Sequence, residues 1–424
     1  MIKELISKEN LNRAYSKVYR NRGASGVDGM EVHELSRHFA HYGEQYTLQI
    51  ASGTYYPSAI KGIEIPKSNG RTRLLGVPTV VDRVFQQALH QVLEPLFEKD
   101  FHAYSFGFRP RRNTHQALAK SLSEINSGRK YIVDIDLKSF FDEVRHDVLL
   151  DLIHDKVRCP LTLKLLRKFL RAPIEINGSL HKRSKGVPQG SPLSPLLSNI
   201  LLNELDKELE KRGHEFVRYA DDFSIYLRSK PAAKRVGNSI SKFLRENLDL
   251  PINREKSGLR TPHNFNLLGY GFVPTYKKGE RGRYQFVVEK SKWQELKQKL
   301  KYLTKKTVPA SFDERIQYIN WLIRGWINYF RLASIQAKLK QLDEWLRNRL
   351  RYCIWHHWKK PERKRKNLIR LGIDQGQAYA WSRTNMGGWA VAQSPILGTT
   401  ITVSRLKQRG YLSLLDYYKK VKHH

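Results

Sequence analysis

The sequence has few cysteines, few acidic residues and no long apolar run, and each shortage removes a class of protein. Its two cysteines, Cys159 and Cys353, are far apart and neither belongs to a Cys-x-x-Cys pair. The sequence therefore predicts neither a disulfide framework nor a cysteine-rich zinc module. No uninterrupted apolar stretch approaches the ~18 residues of a membrane span, and the first residues do not resemble a signal peptide. We expect a soluble intracellular protein with no membrane partner.

The shortage of acidic residues leaves a large positive charge. The chain of 424 residues is long enough for two to four domains, and it carries 76 Lys and Arg against 40 Asp and Glu, a formal charge of +36. Residues 291–424 hold 28 basic and 8 acidic residues, a net charge of +20, and all 8 Trp lie beyond residue 290. A polyanion partner is the economical explanation for so much self-repulsion.

Two adjacent carboxylates, Asp221 and Asp222, are the most informative acidic feature. A short strand-like segment, residues 216–218, and a segment of alternating character, residues 223–227, flank the sequence Tyr219-Ala220-Asp221-Asp222, and this pattern predicts a hairpin with the pair at its tip. On its own such a pair is more often a solvated turn than a functional site. A neighbouring acidic strand would favour a metal site.

Such a strand is predicted at residues 131–137, where period-2 alternation places Asp134 and Asp136 on one face. Asp136 is the expected third metal ligand. Three carboxylates on adjacent strands can hold two hard cations about 3.5–4 Å apart, an arrangement suited to phosphoryl transfer.

Ordered motifs along the chain resemble those of reverse transcriptases, and among these the bacterial group II intron reverse transcriptase/maturases. The matching segments are RGASGVDG (22–29), IPK (65–67), GVPTVVDR (76–83), SFGFRP (105–110), GVPQGSPLSP (186–195) and RGWINYF (324–330). The resemblance extends from about residue 10 to about residue 360. Many relatives carry a C-terminal DNA endonuclease domain. We expect no such domain in this sequence, whose last residue is His424. We assign no role to His423 and His424.

The resemblance implies an α+β fold of the right-hand polymerase type, with fingers, a ferredoxin-like palm, an α-helical thumb and a small basic C-terminal domain. The implied domains are residues 1–60 (N-terminal extension of the fingers), 61–130 (fingers), 131–288 (palm, with fingers elements near 150–190), 289–360 (helical thumb or maturase domain) and 361–424 (basic DNA-binding domain). Apolar residues at helical spacing in 319–330 and 342–354 favour a bundle. Most Trp residues fall on these stripes, so we interpret them as bundle core rather than base-stacking platforms.

The resemblance also implies roles for individual residues. Asp136, Asp221 and Asp222, together with Leu137, match the positions that bind two Mg²⁺ ions, for which Mn²⁺ can substitute. Lys67 and Arg73 match the triphosphate-binding pair, Phe141 the ring that excludes a 2′-hydroxyl, Gln189 a contact to the incoming nucleotide and Lys256 a general acid near the pyrophosphate. Each residue also has a non-functional interpretation. Lys67 and Arg73 would be solvated cations, Phe141 would pack in the core and Gln189 would lie in an ordinary turn.

Two further groups of residues are expected to contact nucleic acid. Leu268, Gly269 and Tyr270 resemble the primer-grip turn. The basic run of Lys359, Lys360, Arg363, Lys364, Arg365 and Lys366 is expected to bind RNA or DNA, and Pro361 interrupts it where a last small domain begins.

Together these features predict an RNA-directed DNA polymerase that also binds group II intron RNA to assist splicing. The expected partners are intron RNA, an RNA template with a DNA primer, target DNA and deoxynucleoside triphosphates, in the bacterial cytoplasm near the nucleoid. A domesticated relative acting in DNA repair or defence is the main alternative, because its sequence would look nearly identical. A maturase without polymerase activity would tend to lose a metal carboxylate, and a viral-type RNA replicase is disfavoured by Phe141.

Overall fold

The computed structural model describes residues 1–66, 70, 72–276 and 282–422. Lys67, His423 and His424 therefore lie outside the described residues. The chain forms two compact units, which meet in sequence between Pro262 and His263. We call them unit 1 and unit 2. The predicted boundaries between fingers, palm and thumb remain a prediction.

Unit 1 combines ten labelled helices with eight strands in its described residues. The helices are α1 (Ile2–Leu5), α2 (Lys8–Asn21), α3 (Leu35–Ser52), α4 (Val80–Glu98), α5 (Thr114–Asn126), α6 (Phe140–Glu143), α7 (His146–His154), α8 (Pro160–Arg171), α9 (Ser194–Lys211) and α10 (Lys230–Asn247). The strands are β1 (Ile60–Pro66), β2 (Thr72–Val77), β3 (Tyr131–Ile135), β4 (Ile174–Ile176), β5 (Ser179–His181), β6 (Glu215–Tyr219), β7 (Asp222–Leu227) and β8 (Gly258–Arg260).

The smaller sheet of unit 1 contains the hairpin of β1 and β2. Its strand order is β2-β1-β4-β5. β1 and β2 pair antiparallel from Lys61 with Val77 to Pro66 with Thr72.

The larger sheet of unit 1 has the strand order β6-β7-β3-β8, with every neighbouring pair antiparallel. Helices α6 to α9 connect β3 to β6, and α10 connects β7 to β8, which is the β-α-β-β-α-β sequence of a ferredoxin-like fold. The sheet buries Ile132, Phe216, Phe223 and Ile225. The predicted α+β palm is confirmed, and its two acidic strands, β3 and β7, are direct neighbours.

Unit 2 begins with a three-stranded sheet and continues as helices. Its strands are β9 (Asn266–Leu267), β10 (Tyr270–Pro274) and β11 (Tyr284–Val288). Its helices are α11 (Lys290–Leu303), α12 (Phe312–Phe330), α13 (Gln336–His357), α14 (Pro361–Arg370), α15 (Gln375–Ser382), α16 (Gly388–Gln393), α17 (Pro395–Thr400), α18 (Val403–Gln408) and α19 (Leu414–Lys422).

Helices α12 and α13 bury the apolar stripes that the sequence predicts. A capping box of Ser311 and Glu314 begins α12, and Ile319, Ile323 and Ile327 are fully buried along it. The interpretation of the Trp residues as bundle core is only partly correct. Trp355 is buried, but Trp321 is 55% exposed and the other six are half-buried.

The last helix, α19, packs against α12 and α13 through a buried carboxylate. Asp343 of α13 accepts hydrogen bonds from Tyr411 Oη at 2.5 Å, from Ser413 Oγ at 2.9 Å and from the backbone N–H of Leu414 at 2.9 Å. Because the carboxylate caps the first turn of α19, the C-terminal residues are fixed to the two longest helices of unit 2. Among the helices of the described ranges, none has the length and apolar character that crossing a membrane requires.

Candidate active site

The carboxylates of Asp221 and Asp222 lie at the tip of the hairpin that joins β6 to β7. Tyr219, the last residue of β6, pairs with Asp222, the first residue of β7, so Ala220 and Asp221 form the turn. Ala220 has a φ of 58°, the left-handed conformation that a II′ hairpin turn needs at its first central position. The predicted hairpin tip is confirmed.

A buried ion pair holds this turn from behind. Arg218 is fully buried, and its guanidinium lies 2.8 and 2.6 Å from the two carboxylate oxygens of Asp206, which is also fully buried. Its Nη1 donates to the carbonyl oxygen of Ala220 at 3.0 Å and to Asn199 Oδ1 at 2.9 Å. Gly107 lies so close that a Cβ there would come within 2.2 Å of the Ala220 nitrogen. The strained backbone of Ala220 is thus fixed by its surroundings.

Asp136 follows directly after β3, the strand next to β7. The loop before β8 surrounds it: Asn253 Nδ2 donates to Asp136 Oδ2 at 2.9 Å, and the backbone N–H of Asp136 donates to Ser257 Oγ at 2.9 Å. Lys256 Nζ lies 3.5 Å from the Asp136 carboxylate. Since β3 and β7 are adjacent, Asp136 lies at the same end of the sheet as Asp222.

The electrostatics of the site show three carboxylates that disfavour one another's charge. Desolvation, and after it the charges of Asp221 and Asp136, together raise the pKa of Asp222 to about 6, although the residue is exposed at the hairpin tip. Burial likewise raises the pKa of Asp221, while Lys256 acts in the opposite direction on both. The described residues contain no set of three or more His, Cys, Asp or Glu side chains already arranged around one metal position. The donor set nevertheless fits a divalent cation, which would relieve this repulsion.

The predicted nucleotide-binding residues lie in strand β2 (Arg73), helix α6 (Phe141) and the loop before α9 (Gln189), and backbone hydrogen bonds connect these segments. Val187 N–H donates to the carbonyl oxygen of Phe141 at 2.7 Å, and Gly76 N–H donates to that of Gln189 at 2.7 Å. The ring of Phe140 is buried in the core, whereas Phe141 is only half-buried. Phe140 therefore accounts for the core packing, which leaves one face of Phe141 for a ligand.

Arg73, Phe141 and Gln189 line a single cavity of about 800 Å³ within unit 1. The cavity is of the size that proteins use for small molecules. Lys67, the other predicted triphosphate contact, lies outside the described residues. The structure thus brings together three of the four predicted nucleotide contacts.

Sequence reasoning missed a polar row on α4 that lines the same cavity. Arg83, Gln87 and His90 are each more than nine-tenths buried. Within the described part of the chain, Arg83 Nε, Gln87 Nε2 and His90 Nδ1 have no hydrogen-bond partner. Burial lowers the pKa of His90 to about 4, so the ring is neutral near pH 7. The available signal was the i, i+4 and i+7 spacing of these three polar residues, which puts them on one face of α4.

The predicted primer-grip residues lie in unit 2, in the turn between β9 and β10. Leu268 and Gly269 have φ values of 52° and 79°. Tyr329 Oη donates to the carbonyl oxygen of Leu268 at 2.9 Å, Glu289 N–H donates to that of Gly269 at 3.0 Å, and Tyr270 Oη donates to the backbone of α12. The turn is therefore attached to the end of α12.

The predicted basic segment divides into exposed and packed cations. The exposed ones are Lys359, Lys360, Arg363 and Lys366. Lys364 Nζ lies 4.2 Å from the ring centroid of Trp355, and Arg365 lies between Glu362 and the ring of Tyr379. Lys364 and Arg365 are thus used largely within unit 2.

A ferredoxin-like palm with carboxylates at the ends of adjacent strands is the architecture of a right-hand nucleic-acid polymerase. Residues 65–272 match the family described as "Reverse transcriptase (RNA-dependent DNA polymerase)", and residues 293–372 match the "Group II intron, maturase-specific domain". The chain belongs to the reverse transcriptase family, in its group II intron type.

Individual relatives agree with this assignment. Protein YkfC of Escherichia coli K12 is 31% identical over 289 residues, which cover 58% of this chain and 75% of that protein. The group II intron-encoded protein LtrA of Lactococcus lactis subsp. cremoris is 35% identical over 237 residues, 54% of this chain but only 37% of that protein. Among solved structures, the telomerase of Candida albicans aligns with 81% of this chain and 68% of its own, at 13% identity and a TM-score of 0.44.

Proposed function

We propose that this protein is an RNA-directed DNA polymerase encoded by a group II intron, which copies intron RNA into DNA for mobility and binds that RNA to assist splicing. The observation that carries the polymerase half is the group of three carboxylates at one end of the palm sheet, in the same unit as a cavity lined by Arg73, Phe141 and Gln189. The maturase-specific match supports the splicing half over a domesticated role in repair or defence.

Asp136, Asp221 and Asp222, with Leu137, are the residues that would hold two Mg²⁺ or Mn²⁺ ions. When bound, such a pair supplies activation of the primer 3′-hydroxyl and stabilisation of the leaving pyrophosphate. The buried Arg218 supports the turn that carries two of these carboxylates, so the site is preorganised from the protein side.

The remaining residues bind and select the nucleotide. Arg73, together with Lys67, neutralises the triphosphate, since negative charge spreads over its oxygens during transfer. Phe141 presents its open face to the sugar and excludes a 2′-hydroxyl by contact. Gln189 contacts the nucleotide from a loop that Gly76 holds by its backbone. Lys256, 63% exposed and next to Asp136, is the proposed general acid toward the pyrophosphate.

The polar row on α4 is proposed to meet the template side of the reaction. An incoming nucleotide occupies the end of the cavity at Arg73 and Phe141, and the unpaired polar atoms Arg83 Nε, Gln87 Nε2 and His90 Nδ1 belong to residues that line the remainder. Buried donors without partners are costly in an empty site, by about 1–3 kcal/mol each. An RNA template nucleotide would satisfy them. The primer end is assigned to Leu268, Gly269 and Tyr270, and the phosphates of RNA or DNA to the exposed part of the basic segment.

Primer extension on an RNA template with a DNA primer tests the polymerase half. Asp221→Ala should lower extension by on the order of 10³-fold or more, because a metal ligand is lost, while RNA affinity stays unchanged. Asp151→Ala, an exposed carboxylate on α7, is the matched control and should retain full activity. Substantial DNA synthesis by Asp221→Ala at any magnesium concentration would overturn the catalytic assignment.

Splicing of the intron that encodes the protein tests the maturase half. Asp221→Ala protein should still accelerate splicing, because RNA folding needs no metal at the polymerase site. Wild-type protein should also prefer its intron over an equally long, unrelated structured RNA by roughly 4 kcal/mol or more at the same salt. Equal affinity for both RNAs together with no effect on splicing would leave a general reverse transcriptase.

A further inference from the structure

A second cavity, of about 750 Å³, lies wholly within unit 2. It is enclosed by the loop between α11 and α12, the first turn of α12, and the end of α13 as far as Lys359. Arg409, just after α18, closes one side. We call it the α12–α13 cavity. It contains none of the metal, nucleotide or primer-grip residues assigned above.

The walls of the α12–α13 cavity are fixed by buried side chains. Arg315 is buried, and its guanidinium donates to the carbonyl oxygens of Lys305 at 3.1 Å and Val308 at 3.2 Å. Arg349 Nη2 donates to the carbonyl oxygen of Thr304 at 2.8 Å. These bonds hold the loop from two helices, so the cavity is preformed rather than created by a ligand.

The lining combines aromatic rings with cations. Phe312 and Trp358 are half-buried in the wall, and the Arg409 guanidinium lies 4.5 Å from the centroid of the Phe312 ring. Lys306 and Lys359 are exposed at the rim. In the part of the chain that the structure describes, neither lysine takes part in an ion pair, whereas Arg409 pairs with Asp313.

The one carboxylate in the lining is already used. Glu314 accepts a hydrogen bond from the backbone N–H of Ser311 at 2.8 Å, as part of the capping box that begins α12. The cavity therefore offers stacking surfaces and uncompensated positive charge, which is the pattern that protein surfaces use for single-stranded nucleic acid.

We infer that the α12–α13 cavity binds one unpaired nucleotide of a folded RNA, with the base against Phe312 and Trp358 and the phosphate at Lys306 and Lys359. The inference deepens the proposed RNA binding by locating one contact. A base inside a duplex cannot enter a recessed cavity, whereas the splayed bases of loops and bulges can. Most of the lining also falls within residues 293–372, the maturase-specific match.

The chain provides a matched control for this inference. Lys305 and Lys360 are exposed neighbours of Lys306 and Lys359, but they do not line the cavity. The cavity variant Lys306→Ala/Lys359→Ala and the control variant Lys305→Ala/Lys360→Ala each remove two positive charges from the same surface. The long-range electrostatic attraction to RNA is reduced equally in the two variants. A difference between their RNA affinities therefore measures the contribution of the cavity.

The probe is a fluorescein-labelled RNA hairpin with a short unpaired bulge, compared with a fully paired hairpin of equal length at one salt concentration. The cavity variant should bind the bulged hairpin about tenfold more weakly than the control variant does, and the two variants should bind the paired hairpin equally. Trp358→Leu should reproduce the bulge-specific loss without any change in charge. Equal affinities of the two double variants for the bulged hairpin would overturn the inference.

Two further measurements distinguish an RNA site from a DNA site, and RNA binding from polymerase activity. The cavity variant and the control variant should bind a bulged DNA hairpin of the same sequence with equal affinity. If the cavity variant binds only the bulged DNA hairpin more weakly, the cavity is a DNA site and the RNA assignment is refuted. Primer extension by the wild type is measured in parallel. Failure of extension would count against the proposed polymerase while leaving the bulge comparison valid.

Discussion

The acidic turn of unit 1 and the basic segment of unit 2 use charge in opposite ways. At the turn, acidic groups are forced together, and a fully buried Arg218 holds the backbone beneath them. In the basic segment, four of six cations are exposed, and Lys364 and Arg365 are packed against aromatic rings. Catalysis thus depends on positions fixed to fractions of an ångström, whereas binding to phosphates tolerates mobile charges in water.

The largest expected effect is on the buried support of the turn. Arg218→Ala leaves the carboxylate of Asp206 buried without its partner, so the free energy of unfolding should fall by about 3–5 kcal/mol. The protein that still folds should extend primers poorly, because the Ala220 carbonyl oxygen loses its hydrogen bond from Arg218. Urea unfolding and primer extension measure the two effects. Arg212→Ala, which removes an exposed ion pair with Glu208, should change stability by less than about 1 kcal/mol. Equal stability of the two variants would contradict the role assigned to Arg218.

The next effect concerns sugar selection at the open face of Phe141. Phe141→Val removes the surface that contacts a 2′-hydroxyl, so ribonucleotide incorporation relative to deoxyribonucleotide incorporation should rise roughly tenfold or more. Phe140→Val is the control, since it enlarges a core cavity and should lower stability without changing selectivity. If an active Phe141→Val enzyme discriminates as well as wild type, the ring belongs to the core.

The division of the basic segment gives a third test. Arg363→Ala/Lys366→Ala removes two exposed cations, so the slope of log affinity for RNA against log salt should decrease by about 2, with no change in melting temperature. Lys364→Ala/Arg365→Ala should instead lower the melting temperature, because the Trp355 and Tyr379 rings lose their cations. Identical behaviour of the two variants in both measurements would show that the segment is not divided in this way.

The smallest effect is the pH dependence of the carboxylate cluster. The folded-state pKa of Asp222, about 6, lies above its ordinary value of 3.8, so its protonated form stabilises the fold. That contribution is complete below about pH 4 and is lost as the pH rises through about 6. Without metal at pH 7, Asp222→Asn should therefore melt roughly 1–3 °C higher than wild type, and the difference should vanish near pH 4.

Magnesium provides the control for this pH effect. Saturating Mg²⁺ at pH 7 should raise the melting temperature of wild type toward that of Asp222→Asn, since a cation relieves the same repulsion. Asp151→Asn should melt like wild type at every pH. If Asp222→Asn has the same melting temperature as wild type at every pH, Asp222 does not take part in the repulsion among the carboxylates.

The parts of the site that the sequence predicted are those with local patterns. Alternation identified β3 and β7, and the tight acidic turn identified the hairpin tip. Phe141 and Gln189 were assigned by the family resemblance rather than by spacing, and the structure brings both to one cavity.

The parts that the sequence did not predict depend on tertiary environment. Arg218 and Gln87 carry ordinary polar side chains, and nothing local shows that one is fully buried in an ion pair and the other faces a cavity. The left-handed conformations of Ala220 and Leu268 likewise fall on residues that seldom adopt them. The Trp residues were interpreted as core because most of them fall on helical apolar stripes, but the exposure of Trp321 shows that helical spacing alone does not determine which rings are buried.

The close approach of Gly107 to Ala220 has a consequence for the exchange of parts between relatives. The segment before α5 runs beside β6, with Phe106 N–H donating to the carbonyl oxygen of Arg218 at 2.9 Å and Asn199 Nδ2 donating to that of Gly107 at 2.9 Å. Stretches far apart in sequence therefore form one inseparable block around the acidic turn. A chimaera that imports residues 199–222 from a relative should work only when residues 104–109 come from the same parent.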